Sequence, residues 1–166
     1  MKYLFTLFFS LLVFFQVTAQ HINGSSTANV GECSLYSLGN WGDVCVTVDW
    51  SVSGGGSISG STSNTPVVEV CWTQAGTHTV SVYDGCGRTA SIDVLVSCPA
   101  ITITPSTPAA CIGEEVTFTA SSGYDSYVWS GANGSSNTAT FTPTSAGSHT
   151  VSVTGTKGNC TVTESI

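Results

Sequence analysis

Three residue types in this 166-residue sequence could carry chemistry: seven cysteines, three histidines and ten carboxylates. The cysteines are Cys33, Cys45, Cys71, Cys86, Cys98, Cys111 and Cys160; they contain no C-x-x-C and match no zinc spacing. In an exported chain such a set reads as a disulfide framework before metal or redox chemistry. His78 and His149 fall at equivalent positions of an internal repeat, whereas metal ligands must converge on one site. They are therefore read as strand-start residues beside a turn, and His21 as a residue near the start of the mature chain. Asp43, Asp49, Asp84 and Asp93 are the only grouped acids, without a D-x-D run or a glycine-flanked acidic loop. Calcium between loop carboxylates and carbonyls is the one cofactor they leave open, against a reading as solvated surface groups. The serines lack G-x-S-x-G and S-x-x-K contexts, so no catalytic residue and no enzyme activity is expected. Trp41, in Gly39-Asn40-Trp41-Gly42-Asp43, is the candidate ligand contact: an exposed indole there would stack on sugar, and packing over a sandwich end is the competing use.

Where these residues fold depends on the compartment. Lys2, an apolar run from Tyr3 to Phe15 and Val17-Thr18-Ala19 form the three parts of a secretory signal peptide over residues 1–19, with cleavage expected after Ala19. The run is short of the roughly 20 apolar residues a membrane span needs. Beyond it, Arg88 and Lys157 are the only cations against ten carboxylates. So few cations cannot neutralise phosphates or an anionic lipid surface, which argues against nucleic-acid partners and membrane insertion after signal cleavage. A secreted or cell-surface protein meeting other extracellular proteins or glycans is expected.

Ser, Thr, Gly and Val dominate the mature part, a composition suited to half-buried strands. Period-two stripes recur: Val68-Val70-Trp72, Val80-Val82, Ile92-Val94-Val96, Val116-Phe118-Ala120 and Val151-Val153. Turn-forming clusters such as Gly54-Gly55-Gly56 and Asn133-Gly134 bound them, and short strands so spaced predict a sandwich or barrel. Ala75-Gly76-Thr77-His78-Thr79-Val80-Ser81-Val82 returns as Ala146-Gly147-Ser148-His149-Thr150-Val151-Ser152-Val153, with seven of eight positions identical. Cys33 precedes Trp50 by 17 residues, and Cys111 precedes Trp129 by 18. These landmarks predict two homologous modules, 21–98 and 99–166, joined through a proline-containing linker after Pro99.

Aligning the repeats makes Cys33 equivalent to Cys111 and Cys86 to Cys160. The expected staples are then Cys33–Cys86 and Cys111–Cys160, with Cys45–Cys71 a third bridge of the first module. Cys98 is left over, either free, or paired beyond Ile166, or a sign that the pairing is different. Two further differences separate the modules. The first has eight extra residues within Gly54 to Asn64, the expected place for module-specific contacts or for a plain surface loop. The second has only six residues after Cys160, so its last strand is expected to be cut short and the chain to be part of a longer protein.

Cys111-Ile112-Gly113-Glu114-Glu115-Val116-Thr117-Phe118-Thr119-Ala120, Tyr127-Val128-Trp129-Ser130 and the Ala146–Val153 stretch resemble the polycystic-kidney-disease (PKD)-like and immunoglobulin-like repeats of large secreted bacterial surface proteins. Trp50-Ser51-Val52, Val68-Glu69-Val70-Cys71-Trp72 and Cys86-Gly87 make the first module similar to the variant found in gliding bacteria. The resemblance implies an all-β chain of two tandem immunoglobulin-like antiparallel sandwiches, with Trp50 and Trp129 in the cores. The Gly-Asp-Gly turn usual after the aromatic strand is absent. Functionally it implies a non-catalytic spacer or adhesion module. The alternative is a carbohydrate-binding accessory module of a secreted enzyme, using Trp41 and the Gly54 to Asn64 loop.

Overall fold

The computed structural model describes residues 20–39 and 47–166. The expected signal segment 1–19, Trp41, Asp43 and Cys45 lie outside the described residues.

The described chain is all β. The first sandwich contains β1 (Ile22–Asn23), β2 (Thr27–Asn29), β3 (Cys33–Leu38), β4 (Val48–Val52), β5 (Gly56–Ser59), β6 (Val67–Trp72), β7 (Gly76–Asp84) and β8 (Thr89–Ser97). One sheet runs β1-β3-β6-β5, the other β2-β8-β7-β4. All pairs are antiparallel except β2, which joins β8 in parallel, so the opening segment divides itself between the two sheets. The second sandwich contains β9 (Ile103–Pro105), β10 (Val116–Ala120), β11 (Ser126–Ser130), β12 (Asn133–Gly134), β13 (Thr138–Phe141), β14 (Ser152–Lys157) and β15 (Cys160–Ser165). Its sheets are β12-β13-β10-β9 and β11-β14-β15. Two face-to-face sheets per module, antiparallel apart from the β2–β8 pair, with an indole on β4 in one and on β11 in the other, make both immunoglobulin-like.

Alternation places the side chains. Val68, Val70 and Trp72 point inward from β6, Val80 and Val82 from β7, and Val94 and Val96 from β8; each is 2% exposed or less. They close one core with Tyr36, Val48 and Trp50. The Tyr36 hydroxyl, pushed up in pKa by burial, donates to the Ser25 carbonyl at 3.0 Å. Trp50 is buried as expected, its Nε1 donating to the Thr65 carbonyl. Trp129 makes the matching bond to Ser136 but is only half-buried. It lies between two small clusters, Ile101-Ala120-Val153 and Val116-Phe118-Val151, because the second core is divided along its length.

The Gly54 to Asn64 insertion is sheet rather than free loop. Gly56–Ser59 pair with Glu69–Trp72 as an edge strand. Ser63 bridges to Asp49, and Asn64 takes a positive φ of 55°. The counterpart in the second sandwich, β12, has two residues.

Candidate functional site

The cysteines show where the molecule is tied. Cys33 is bonded to Cys71, its cross-strand neighbour in β3 and β6. The expected Cys33–Cys86 and Cys45–Cys71 bridges do not form. Cys71 lies where β6 turns into β7, whereas Cys86 follows the far end of that nine-residue strand, about 30 Å away at the usual rise. Cys86 is itself disulfide-bonded. The expected Cys111–Cys160 staple is also replaced. Cys160 opens β15 and is bonded to Cys98, just past the end of β8 in the other sandwich. Cys111 lines the groove that Ile166, past the opposite end of β15, also lines, and is an exposed free thiol. Cys98 is thus neither free nor left over.

Around Cys98–Cys160 the modules meet as packed surfaces. Cys160 is 1% exposed and belongs to the core of the first sandwich. Asn159 Oδ1 accepts the Ala75 N–H at 2.7 Å. The Tyr124 hydroxyl, its pKa raised by burial, donates to the Pro99 carbonyl at 2.7 Å. Gly158, at φ +56°, lets the β14–β15 turn lie against the first sandwich: a Cβ there would overlap the Thr73 carbonyl. The same turn is held from below by Asp125, whose Oδ2 accepts the Gly158 N–H at 2.9 Å. The Lys157 stem covers Gly31.

The structure disperses the acids. Asp84 and Asp49 lie near each other on paired strands but point to opposite faces. Asp84 is fully buried and Asp49 exposed on the outer face, bonded to Ser63. Asp93 accepts from Thr79 Oγ1 at 2.8 Å, several residues along the sheet. Asp84 organises the β7–β8 turn, accepting from the Cys86 and Arg88 N–H groups, from Arg88 Nε at 2.6 Å and from Gln20 Nε2 at 3.0 Å. Burial alone pushes its carboxyl up; the Arg88 backbone, its guanidinium and the Cys86 N–H outweigh that and hold it below the ordinary value. This arrangement was missed at the sequence level, although Asp84 continues the inward stripe Val80-Val82. Among the described residues the one group close enough to hold a metal is Cys33, Glu69 and Cys71, whose sulfurs are bonded to each other.

His78 and His149 share one structural use. Nε2 of each meets the carbonyl four residues back, Gln74 at 2.9 Å and Ser145 at 3.0 Å. The His78 ring stacks on Trp72, and the His149 ring tilts against Phe141.

The far end of the second sandwich is open. A groove of about 760 Å³ runs between its sheets, floored by Val116, Phe118, Phe141 and Val151 and edged by Ala146–His149. None of its lining residues is charged.

No family model matches the chain, and no curated protein matches it. Several solved structures do. The C-terminal 282-residue fragment of intimin, in complex with the intimin-binding domain of translocated intimin receptor, is 21% identical with a TM-score of 0.36, over 87% of this chain and 62% of that one. This chain thus spans less than two thirds of that fragment. Murine CEACAM1b is 11% identical with a TM-score of 0.33, over 82% and 91% of the two chains. The fibronectin(III)-like modules of Clostridium thermocellum CbhA are 18% identical with a TM-score of 0.32, over 87% and 90%. The likeness concerns the fold alone.

Proposed function

We propose that this chain is a non-catalytic extracellular spacer and adhesion segment of a secreted or cell-surface protein, built from PKD-like modules presented as one unit. The Cys98–Cys160 bond carries this reading. Two sandwiches meant to swing independently have no use for a covalent tie at the junction, and tandem domains in one chain otherwise move relative to each other by default. The Asn159 and Tyr124 hydrogen bonds and the seating of Gly158 support the same conclusion. Persistent disulfides and an exposed surface poor in cations suit the outside of a cell.

Small-angle scattering on the oxidised chain and on a Cys98→Ala/Cys160→Ala variant tests it. The oxidised protein is expected to show one narrow, extended distance distribution, and the variant a broader one with both sandwiches still folded. A broad distribution from the oxidised protein would overturn the single-unit spacer.

A further inference from the structure

Cys33, Glu69 and Cys71 meet on the outer face of the first sandwich. Val68, Val70 and Trp72 point inward from β6, so Glu69 and Cys71 point outward, two positions apart on one strand. The β3–β6 register sets Cys33 opposite Cys71 and Leu35 opposite Glu69. A carboxylate oxygen of Glu69 and the two sulfurs all lie within 4.8 Å of one another. Among the described residues the Glu69 carboxylate makes no hydrogen bond and no ion pair. The three groups come together across strands, which is why no zinc spacing shows along the sequence. Nor does their placement depend on the sulfur–sulfur bond. β6 is paired on both sides, with β3 and with β5, and Tyr36, Val70 and Trp72 behind the cluster are 1% exposed or less.

We propose that reduction of Cys33–Cys71 turns this cluster into a metal site for a thiophilic divalent ion, zinc above all. Two thiolates and one carboxylate supply three ligands and leave the fourth tetrahedral position to water. With zinc–sulfur bonds of about 2.3 Å the two sulfurs stand about 3.8 Å apart, a spacing that facing backbone positions 3.9 Å apart can hold. Opening the bond takes two electrons, which a pair of small thiols supplies. One thiolate attacks a cysteine sulfur, the second resolves the mixed disulfide, and the two leave joined to each other. Both electrons and two protons stay with Cys33 and Cys71, and the metal ion then displaces the protons. Access orders the two bonds. Cys33 is exposed whereas Cys160 is 1% exposed, so a soluble thiol opens Cys33–Cys71 first and the junction between the sandwiches stays tied.

The test uses the full chain carrying Cys111→Ser, which removes the free thiol. It is reduced with a phosphine, desalted under nitrogen and titrated with Co2+ as a spectroscopic stand-in for zinc, while tryptophan fluorescence follows the fold of the first sandwich. The expected result is saturable sulfur-to-cobalt charge-transfer absorption that zinc bleaches. It is absent from the oxidised chain and lost in Cys33→Ser/Cys71→Ser. Glu69→Gln is expected to bind roughly tenfold more weakly or worse, no less than the loss of an outer-shell partner costs at a metal site. Four outcomes overturn the proposal: no such absorption from the reduced chain, the same absorption from Cys33→Ser/Cys71→Ser, unchanged affinity in Glu69→Gln, or unfolding of the first sandwich on reduction.

Discussion

In the first sandwich the Ala-Gly-x-His segment runs straight into a nine-residue strand, hydrogen-bonded along its whole length to β8. In the second, a segment differing at one position leaves the turn in the same way, with Gly147 at φ +131° against +138° for Gly76, yet becomes strand only from Ser152. The backbone preference is the same; what differs is the neighbour. Among the described residues nothing lies opposite Gly147–Thr150, and a period-two pattern with no paired neighbour has nowhere to place its N–H and carbonyl groups except water. The same lesson holds at the other end of this hairpin. Asp84 is nine residues past Ala75, and nine residues past Ala146 stands Gly155. One copy fills the interior there with a carboxylate held by Arg88. The other leaves the place to Tyr124 and Ile101, which a Cβ on Gly155 would crowd.

Removing large side chains breaks this comparison most sharply. Trp72→Ala empties a site 1% exposed and is expected to cost about 3–5 kcal/mol, near the limit for core truncations. Phe141→Ala, beneath His149 but half open to the groove, is expected to cost about half as much or less. Urea unfolding of the two variants measures both, and equal costs would mean that the second core is closed after all.

Acid separates the modules next. The folded Asp84 carboxyl is held below the ordinary value of 3.8, so its contribution is present above that pH and is lost as pH falls through the lower folded value. Unfolding of the first sandwich is therefore expected to steepen below about pH 3.8, while the second, with Gly155 at that position, lacks this source of pH dependence. Asp84→Asn is expected to flatten the dependence in that window. Stability curves between pH 2 and 5, read on Trp50 and Trp72 fluorescence, check it.

The smallest contrast lies in the histidines. His78→Ala removes a carbonyl bond and a stack on a buried indole; His149→Ala removes the same bond and a contact with a half-buried ring. The first is expected to cost about 1 kcal/mol more, within the range of one hydrogen bond plus an aromatic contact. Thermal melts of the two single variants resolve it.

Strands were legible because alternation is a local property: Val68-Val70-Trp72 and Val116-Phe118-Ala120 show their buried face in the spelling alone. The His turn was legible because the repeat displayed it twice. Disulfides were not, because equivalent positions in two copies need not share partners. Cys33 meets Cys71 through the register between β3 and β6, which are not consecutive strands, and Cys160 meets Cys98 only once two sandwiches have docked. Asp84 was misread as surface because its type outweighed its place in an inward stripe. A turn spelled Asp-Gly-Cys-Gly-Arg, with an acceptor at its start and a guanidinium at its end, carried the signal.

The bond between β8 and β15 also decides how this chain would bear a pull. Tension arriving through the first sandwich reaches Cys98 and crosses directly to Cys160, 62 positions further on. Everything between them, β9 through β14, lies off the load path. Even with the second sandwich unravelled, the roughly 200 Å of contour in that stretch could not be paid out while the sulfurs stay joined. Reduction would release it. A chain tied in this way would hold its length under load in an oxidising environment and lengthen in a reducing one.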